Sequence, residues 1–273
     1  MKPFVVLGAA ASLLSAVSGA AISTLDKRHD LPFILGPGVS DADIPKLEEA
    51  WKDVGTLSAA AADISYDPSD ISNVYDKYFS ASGTTPERVR ALFRSFAGRT
   101  QVYAKKPRPP PDWSTVTIQI DRTHYFAPGD GERTQATTFM YGLKHYASTH
   151  METLGSTLLH ELLHCTQLVK DIYHYDPHDY SWVPSSRIDD QMSPDSSVYS
   201  GMTYGVYPVQ QLRVLRPDIA SINNDNFMFF ALIPYWYGRT RKTFEKMSKA
   251  EWFIDCGKSF ITESVKSTKC NVQ

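Results

Sequence analysis

The sequence predicts a mainly helical α+β fold, organised around one central helix that is buried on nearly all sides. Hydrophobic residues recur at helical spacing in several segments, whereas few segments alternate in the manner of a strand, so any sheet should be small. The chain has 273 residues, of which 42% are hydrophobic, and it can bury one sizeable core. We see neither an internal repeat nor a composition shift that would mark a boundary between domains.

The N-terminus has the features of a secretory signal peptide. Lys2 supplies a positive charge, and the apolar run from Phe4 to Val17 is too short to span a bilayer comfortably. Ser18-Gly19-Ala20 then offers small side chains for a signal peptidase, so cleavage is expected after Ala20 or Ala21. The sequence therefore predicts a secreted, extracellular protein.

This signal sets the expected division of the chain. We expect residues 1–20 to be the signal peptide, 21–40 a propeptide or linker, and 41–273 one folded domain. Lys27-Arg28 is either a second processing site or a solvated charge pair. In an oxidising compartment Cys256 and Cys270 can form a disulfide that holds the C-terminal tail.

Two helices are predicted in the N-terminal half of the domain. The first runs from Asp41 to about Ile64, with Asp41 or Asp43 as its cap. Its apolar positions recur at helical spacing: Ile44, Leu47, Trp51, Val54 and Leu57. In the second helix Thr85 is the cap and Pro86 occupies the first turn, and Gly98 ends it.

The middle of the chain predicts extended structure. Lys105 to Pro111 is basic and rich in proline, which favours an exposed extended segment rather than a regular element. Thr115 to Ile120 alternates and is rich in β-branched residues, which predicts a strand, and Phe139 to Leu143 is a candidate second strand. Ile172 to Tyr204 predicts a long loop of a length that is often functional.

The central helix is predicted from Glu152 to about Lys170. One stripe of it is formed by Leu154, Leu158, Leu162, Cys165 and Val169, and Leu159 and Leu163 make another side apolar, which is typical of a buried helix. A last helical region is predicted through Val209, Leu212 and Leu215 and then from Asn226 to Trp236.

The central helix carries the motif His160-Glu161-Leu162-Leu163-His164. Histidines four residues apart lie on one helix face, so both imidazoles can reach one zinc ion, and Glu161 can deprotonate a zinc-activated water. Cys165 lies off the histidine face and is expected to be a small buried residue rather than a ligand. The motif predicts a hydrolytic zinc site.

A catalytic zinc needs a third protein ligand. No glutamate occurs between His164 and Glu245, whereas aspartates are abundant after the motif: Asp171, Asp176, Asp179, Asp189, Asp190 and Asp195. The sequence therefore favours a site of two histidines and one aspartate.

With its later motifs, the chain resembles the deuterolysin-like fungal metallopeptidases, the aspzincins, which include lysine-specific metalloendopeptidases. HELLH is followed by the aspartate-rich loop, by Tyr204-Gly205 and by the segment Asn223-Asn224-Asp225-Asn226-Phe227. The resemblance covers roughly Thr115 to Trp236, and it implies a zincin-like fold and zinc-dependent endopeptidase activity. It also implies that Tyr204 donates to the oxyanion of the reaction, although a packed aromatic side chain is the alternative.

The resemblance leaves the third ligand open. In the family an aspartate usually stands three residues before the Tyr-Gly pair, where this chain has Gly201. Asp190 is the preferred ligand, because secreted fungal relatives carry an Ile-x-Asp in this interval, as in Ile188-Asp189-Asp190. Asp176 and then Asp195 are the alternatives.

The sequence thus predicts a secreted zinc endopeptidase that acts on protein or peptide substrates as a monomer. A net charge of −2 argues against a nucleic-acid binder and against a polybasic membrane anchor. The alternatives are an inactive relative that acts as a binding or effector protein and a zinc-binding protein without peptidase activity. Glu161 favours the enzyme, because a zinc binder has no use for a general base at that position.

Overall fold

Helices dominate the part of the chain that the structure describes, as the sequence predicts. The structure is a computed structural model, and it describes residues 31–36, 39–65, 74–98, 101–103, 106–108, 117–118, 145–148, 151–169, 188–194, 201–252 and 254. The helices are α1 (Ile44–Asp63), α2 (Tyr75–Tyr78), α3 (Pro86–Phe96), α4 (Leu154–Leu163), α5 (Thr166–Val169), α6 (Val206–Leu215), α7 (Pro217–Ala220) and α8 (Asn224–Thr240).

The two predicted N-terminal helices are present, and their starts differ in how they are capped. Thr85 caps α3 by accepting a hydrogen bond from the backbone N–H of Arg88 at 3.3 Å. Asp43 occupies the cap position of α1, but its carboxylate instead accepts from the backbone N–H and the hydroxyl of Ser40, at 2.8 and 2.6 Å. Gly98 follows α3 with a φ of 69°, a left-handed conformation that glycine adopts without strain.

Helix α4 begins with a capping box, in which Thr153 and Ser156 exchange side-chain to backbone hydrogen bonds at 3.1 and 2.9 Å. Its leucines at positions 158, 159, 162 and 163 are all buried, which confirms the prediction of a buried helix. The predicted continuation to about Lys170 is wrong. The backbone N–H groups of His164 and Cys165 bond to carbonyls three residues back, which tightens the last turn, and the separate helix α5 follows.

Helix α4 lies in the middle of the helical packing. It contacts α1 and α8, and α1 in turn contacts α3 and α8. Gly155 allows the close approach of α1 and α4, because a Cβ atom there would lie 2.2 Å from Cβ of Asp53 and 3.0 Å from the carbonyl oxygen of Ala50. The helix that carries both histidines is therefore fixed on two sides.

A cluster of aromatic rings fills the core beside α8. The ring of Phe79 lies 4.8 Å from that of Phe227 and 5.5 Å from that of Phe230, and Phe93 stacks on Phe230 at 5.6 Å. All four rings are buried, and burial of side chains of this size is a main source of stability. The first turns of α8 are therefore held in place by this aromatic cluster.

The described strands form two separate pairs rather than one small sheet. β1 (Ile34–Leu35) pairs in parallel with β4 (Thr117–Ile118), which lies within the strand predicted from Thr115 to Ile120. β2 (Gln101–Tyr103) pairs antiparallel with β3 (Lys106–Arg108). The prediction that Lys105 to Pro111 contains no element is thus wrong, since a two-stranded pair has only edge strands and an edge tolerates proline.

Several predictions fall outside the described residues. They concern the signal peptide, the pair Lys27-Arg28, the strand at Phe139 to Leu143, the Cys256–Cys270 disulfide, and Asp176 and Asp195. In the described part of the chain, no helix combines the length and the hydropathy that a membrane span requires.

Candidate metal centre

Both histidines of the HELLH motif face the same side of α4. His160 lies in the last turn, and His164 follows directly as the C-cap residue with helical φ and ψ of −67° and −20°. The two rings are 5.4 Å apart, and both side chains are mostly buried. The four-residue spacing thus brings the imidazoles together although the regular helix ends at Leu163.

Asp190 completes the group from the segment 188–194. Nε2 of His160 lies 3.2 Å from Oδ1 of Asp190, and Nε2 of His164 lies 3.7 Å from Oδ2. Ligand atoms of all three residues lie within 4.8 Å of one another, so they can hold one metal ion. Oδ1 of Asp190 is buried without a hydrogen-bond partner. A buried polar oxygen normally has a partner, and a metal ion at this position would supply one.

Each histidine also contacts a second carboxylate through its other ring nitrogen. Nδ1 of His160 lies 2.7 Å from Oδ1 of Asp225, and Nδ1 of His164 lies 3.0 Å from Oδ1 of Asp189. A carboxylate at Nδ1 holds the proton there and leaves the lone pair of Nε2 for a metal. These contacts orient both rings so that each imidazole, once neutral, can present Nε2 to a metal.

The N-terminus of α8 builds this arrangement from four consecutive buried polar residues, Asn223 to Asn226. Asn224 donates to the carbonyl oxygen of His160 at 3.1 Å, and Asp225 accepts from the backbone N–H of Gly205 at 2.9 Å. Asn223 accepts from the backbone N–H of Gln191 at 3.0 Å. One short segment thus connects α4, the Tyr-Gly turn and the segment that carries Asp190.

Tyr204 and Gly205 have separate roles in the structure. The hydroxyl of Tyr204 donates to Oδ2 of Asp190 at 2.7 Å, and its ring lies 6.2 Å from that of His160. Gly205 has a φ of 91°, which favours glycine, and its N–H reaches Asp225. The tyrosine therefore holds the carboxylate of Asp190 in place, while the glycine lets the chain turn into α6.

The electrostatics of the centre reflect its burial and its density of charge. Burial lowers the pKa of His160, but its contacts with Asp190 and Asp225 outweigh burial and raise the pKa to about 10. Burial raises the pKa of Glu161 to about 7, against the opposing charge of His160, and the charges of the same two aspartates also raise it. The pKa of Asp190 is lowered although burial opposes this, because its contacts with His160 and Tyr204 favour the ionised carboxylate.

The structure therefore brings together four of the residues that the sequence predicts, His160, His164, Asp190 and Tyr204. Glu161 follows His160 on the same helix and is partly buried. Cys165 is a buried free thiol outside the metal-binding group, and burial raises its pKa to about 11.

Sequence reasoning missed the roles of Asp189 and Asp225. Both lie in segments that the sequence marks, the Ile-x-Asp interval and the polar run before Phe227, but neither motif says which atom the carboxylate contacts. Only the packing of α8 and of the segment 188–194 against α4 reveals that each supports one histidine.

No protein-family model, curated protein or solved structure matches this chain.

Proposed function

We propose that this protein is a secreted zinc-dependent endopeptidase of the aspzincin type, with a zincin-like fold. The observation that carries the proposal is the convergence of His160, His164 and Asp190, with Nδ1 of each histidine held by a further aspartate. A peptidase site of this kind also needs a general base beside the metal, and Glu161 occupies that place in the motif.

The donor set supports zinc as the metal. Two imidazole nitrogens and one carboxylate oxygen form a mixed set that suits zinc, whereas calcium and magnesium prefer oxygen ligands alone. Three protein ligands are the number found in catalytic zinc sites, in which one position stays open for water or substrate. When bound, zinc would lower the pKa of water toward neutrality and polarise the scissile carbonyl.

The chain's own groups then carry the proton transfers. Glu161 accepts a proton from the attacking water while the new bond to the carbonyl carbon forms. It passes that proton to the leaving amine as the carbon–nitrogen bond breaks, so the carboxylate returns to its starting state.

Tyr204 is proposed as the donor to the oxyanion that develops on the substrate. In the structure its hydroxyl donates to Asp190, so it must exchange that partner for the substrate during the reaction. The same residue thus contributes both to holding the ligand and to catalysis.

The proposal is tested by digestion of a denatured protein with the zinc-loaded chain and with its Glu161→Gln variant. Wild type should cleave the substrate and lose activity to a chelator, and Glu161→Gln should retain zinc and cleave about 100- to 10,000-fold more slowly. Glu49→Gln is the matched control, because Glu49 is exposed on α1, away from the centre. A wild-type protein that holds one zinc ion and cleaves nothing would overturn the proposal and leave zinc binding as the function.

A further inference from the structure

A short antiparallel ladder lies directly beside the metal centre, formed by the segments 188–194 and 201–204. Met192 and Met202 face each other across it as a bridge pair. The backbone N–H of Thr203 bonds to the carbonyl of Gln191 at 2.6 Å, and that of Ser193 bonds to the carbonyl of Gly201 at 2.7 Å. These bonds fix which residues of the two segments are opposite each other.

The register places the methionine pair on the face of the ladder that carries Asp190. Alternate residues of an extended segment share one face, so Met192 lies on the face of Asp190. Met202 is directly opposite Met192, and directly opposed side chains share a face. Thr203, the next residue along, is buried, in keeping with the opposite face of the ladder being the one turned toward the protein interior.

The pair is open to solvent although it is apolar. Met192 is 62% exposed and Met202 is 39% exposed. Two residues along an extended chain correspond to roughly 7 Å, so the backbone of Met192 lies about that far from the backbone of Asp190. A substrate whose scissile bond reaches the metal centre would place a neighbouring side chain within reach of this surface.

The three aspartates of the centre, in contrast, each contact a polar group of the protein. Asp225 contacts His160 with one oxygen and Gly205 with the other, and Asp190 accepts from Tyr204. Asp189 contacts His164. The side chains of Asp189 and Asp190 are 36% and 22% exposed, so Met192 is more open to a substrate side chain than either carboxylate.

We propose that Met192 and Met202 form an apolar subsite that binds a hydrophobic side chain of the peptide substrate next to the scissile bond. The inference rests on the proposed function, since it names the substrate class of the same centre. Methionine suits such a surface, because its flexible, polarizable side chain adapts to differently shaped apolar partners.

The test compares two variants of the full chain, both zinc-loaded. Met192→Thr with Met202→Thr keeps residues that favour a strand but removes most of the apolar surface, and Met192→Leu with Met202→Leu keeps that surface. Peptides that differ only in one residue beside the scissile bond, leucine or serine, are compared by kcat/KM after cleavage sites in a denatured protein have been mapped by mass spectrometry. Binding of the same labelled peptides is measured by fluorescence anisotropy in the Glu161→Gln background.

Wild type should prefer the leucine peptide by about tenfold or more, the ratio that contact with a few methylene groups provides. The threonine pair should reduce this ratio to about one to two, the leucine pair should restore it, and zinc content and thermal stability should not change. Val214→Thr is the matched control, because Val214 is 57% exposed on α6 and lies outside the ladder.

The outcomes separate this inference from the proposed function. Cleavage with a preference for lysine, or with a preference for leucine that the threonine pair leaves unchanged, would overturn the subsite while the peptidase stands. If wild type cleaves nothing but binds the leucine peptide more tightly, and the threonine pair loses this difference, the peptidase proposal fails and the subsite stands. Equal binding of both peptides by wild type, without cleavage, would overturn both.

Discussion

The contact between Asp225 and His160 gives the sharpest prediction for the metal centre. Asp225 is buried, and its two carboxylate oxygens accept from two donors, Nδ1–H of His160 at 2.7 Å and the backbone N–H of Gly205 at 2.9 Å. In Asp225→Asn only one acceptor oxygen remains for these two donors, because the other atom becomes an NH₂ group. Either the glycine contact is lost, or the His160 ring faces a donor.

A donor opposite Nδ1 would favour the tautomer in which Nε2 carries the proton, and in that tautomer His160 cannot coordinate a metal through Nε2. Loss of such a supporting carboxylate typically weakens metal affinity by about 10- to 100-fold. This range corresponds to roughly 1.4 to 2.8 kcal/mol. We expect Asp225→Asn to weaken zinc affinity by an amount within this range.

The assay is a competition titration of zinc against a chromophoric chelator at constant pH. Asp218→Asn is the control, because Asp218 is a surface aspartate on α7 that pairs with Arg216 and should leave zinc affinity unchanged. A zinc affinity of Asp225→Asn within twofold of wild type, in a protein that remains folded, would refute the view that Asp225 orients His160.

Three further predictions concern the packing, the electrostatics and the chemistry. Gly155→Ala should lower the free energy of unfolding by about 1–3 kcal/mol, because its Cβ would overlap Asp53. Gly238→Ala has open space around it and should raise the free energy of unfolding by about 0.5–1 kcal/mol. Urea unfolding that ranks the two variants the other way would contradict the close approach of α1 and α4. Burial raises the pKa of Asp53 more than Arg239 lowers it, so ionisation of this carboxyl opposes folding. Asp53→Asn should therefore stabilise the protein at neutral pH, and this gain in stability should shrink as the pH falls through the raised pKa toward 3.8. Urea midpoints of both proteins at several pH values measure the gain. A gain that grows on acidification would contradict a raised pKa of Asp53. Tyr204→Phe should reduce kcat by about 100-fold or more while zinc affinity falls less than tenfold, because the hydroxyl supports Asp190 with one hydrogen bond and is the proposed donor to the oxyanion. Steady-state kinetics with a parallel zinc titration would contradict this if kcat stayed at the wild-type value.

The sequence predicts the helices of this protein well because their signals are local. The cap at Thr85 and the apolar spacing through α1 operate within one or two turns, and both features appear in the structure. The break after Leu163 was not predictable, because the apolar pattern continues past it to Val169. The pairing of Lys106–Arg108 depends on a neighbouring strand, which periodicity within the segment does not reveal.

The candidate site divides in the same way. The spacing of His160 and His164 places them on one face from helix geometry alone, and the structure joins Asp190 to them. The supporting carboxylates could not be assigned from sequence, since Asp225 is 65 residues from His160 along the chain and meets it only when α8 packs against α4. Long-range contacts of this kind are set by the fold rather than by local pattern.

The most direct test of the metal centre is a crystal structure of the protein grown with zinc, with the metal located by anomalous scattering at the zinc edge. We expect one zinc ion at about 2.0–2.2 Å from Nε2 of His160, Nε2 of His164 and a carboxylate oxygen of Asp190. A zinc ion held by the two histidines and a different aspartate, or no zinc at His160 and His164, would contradict it.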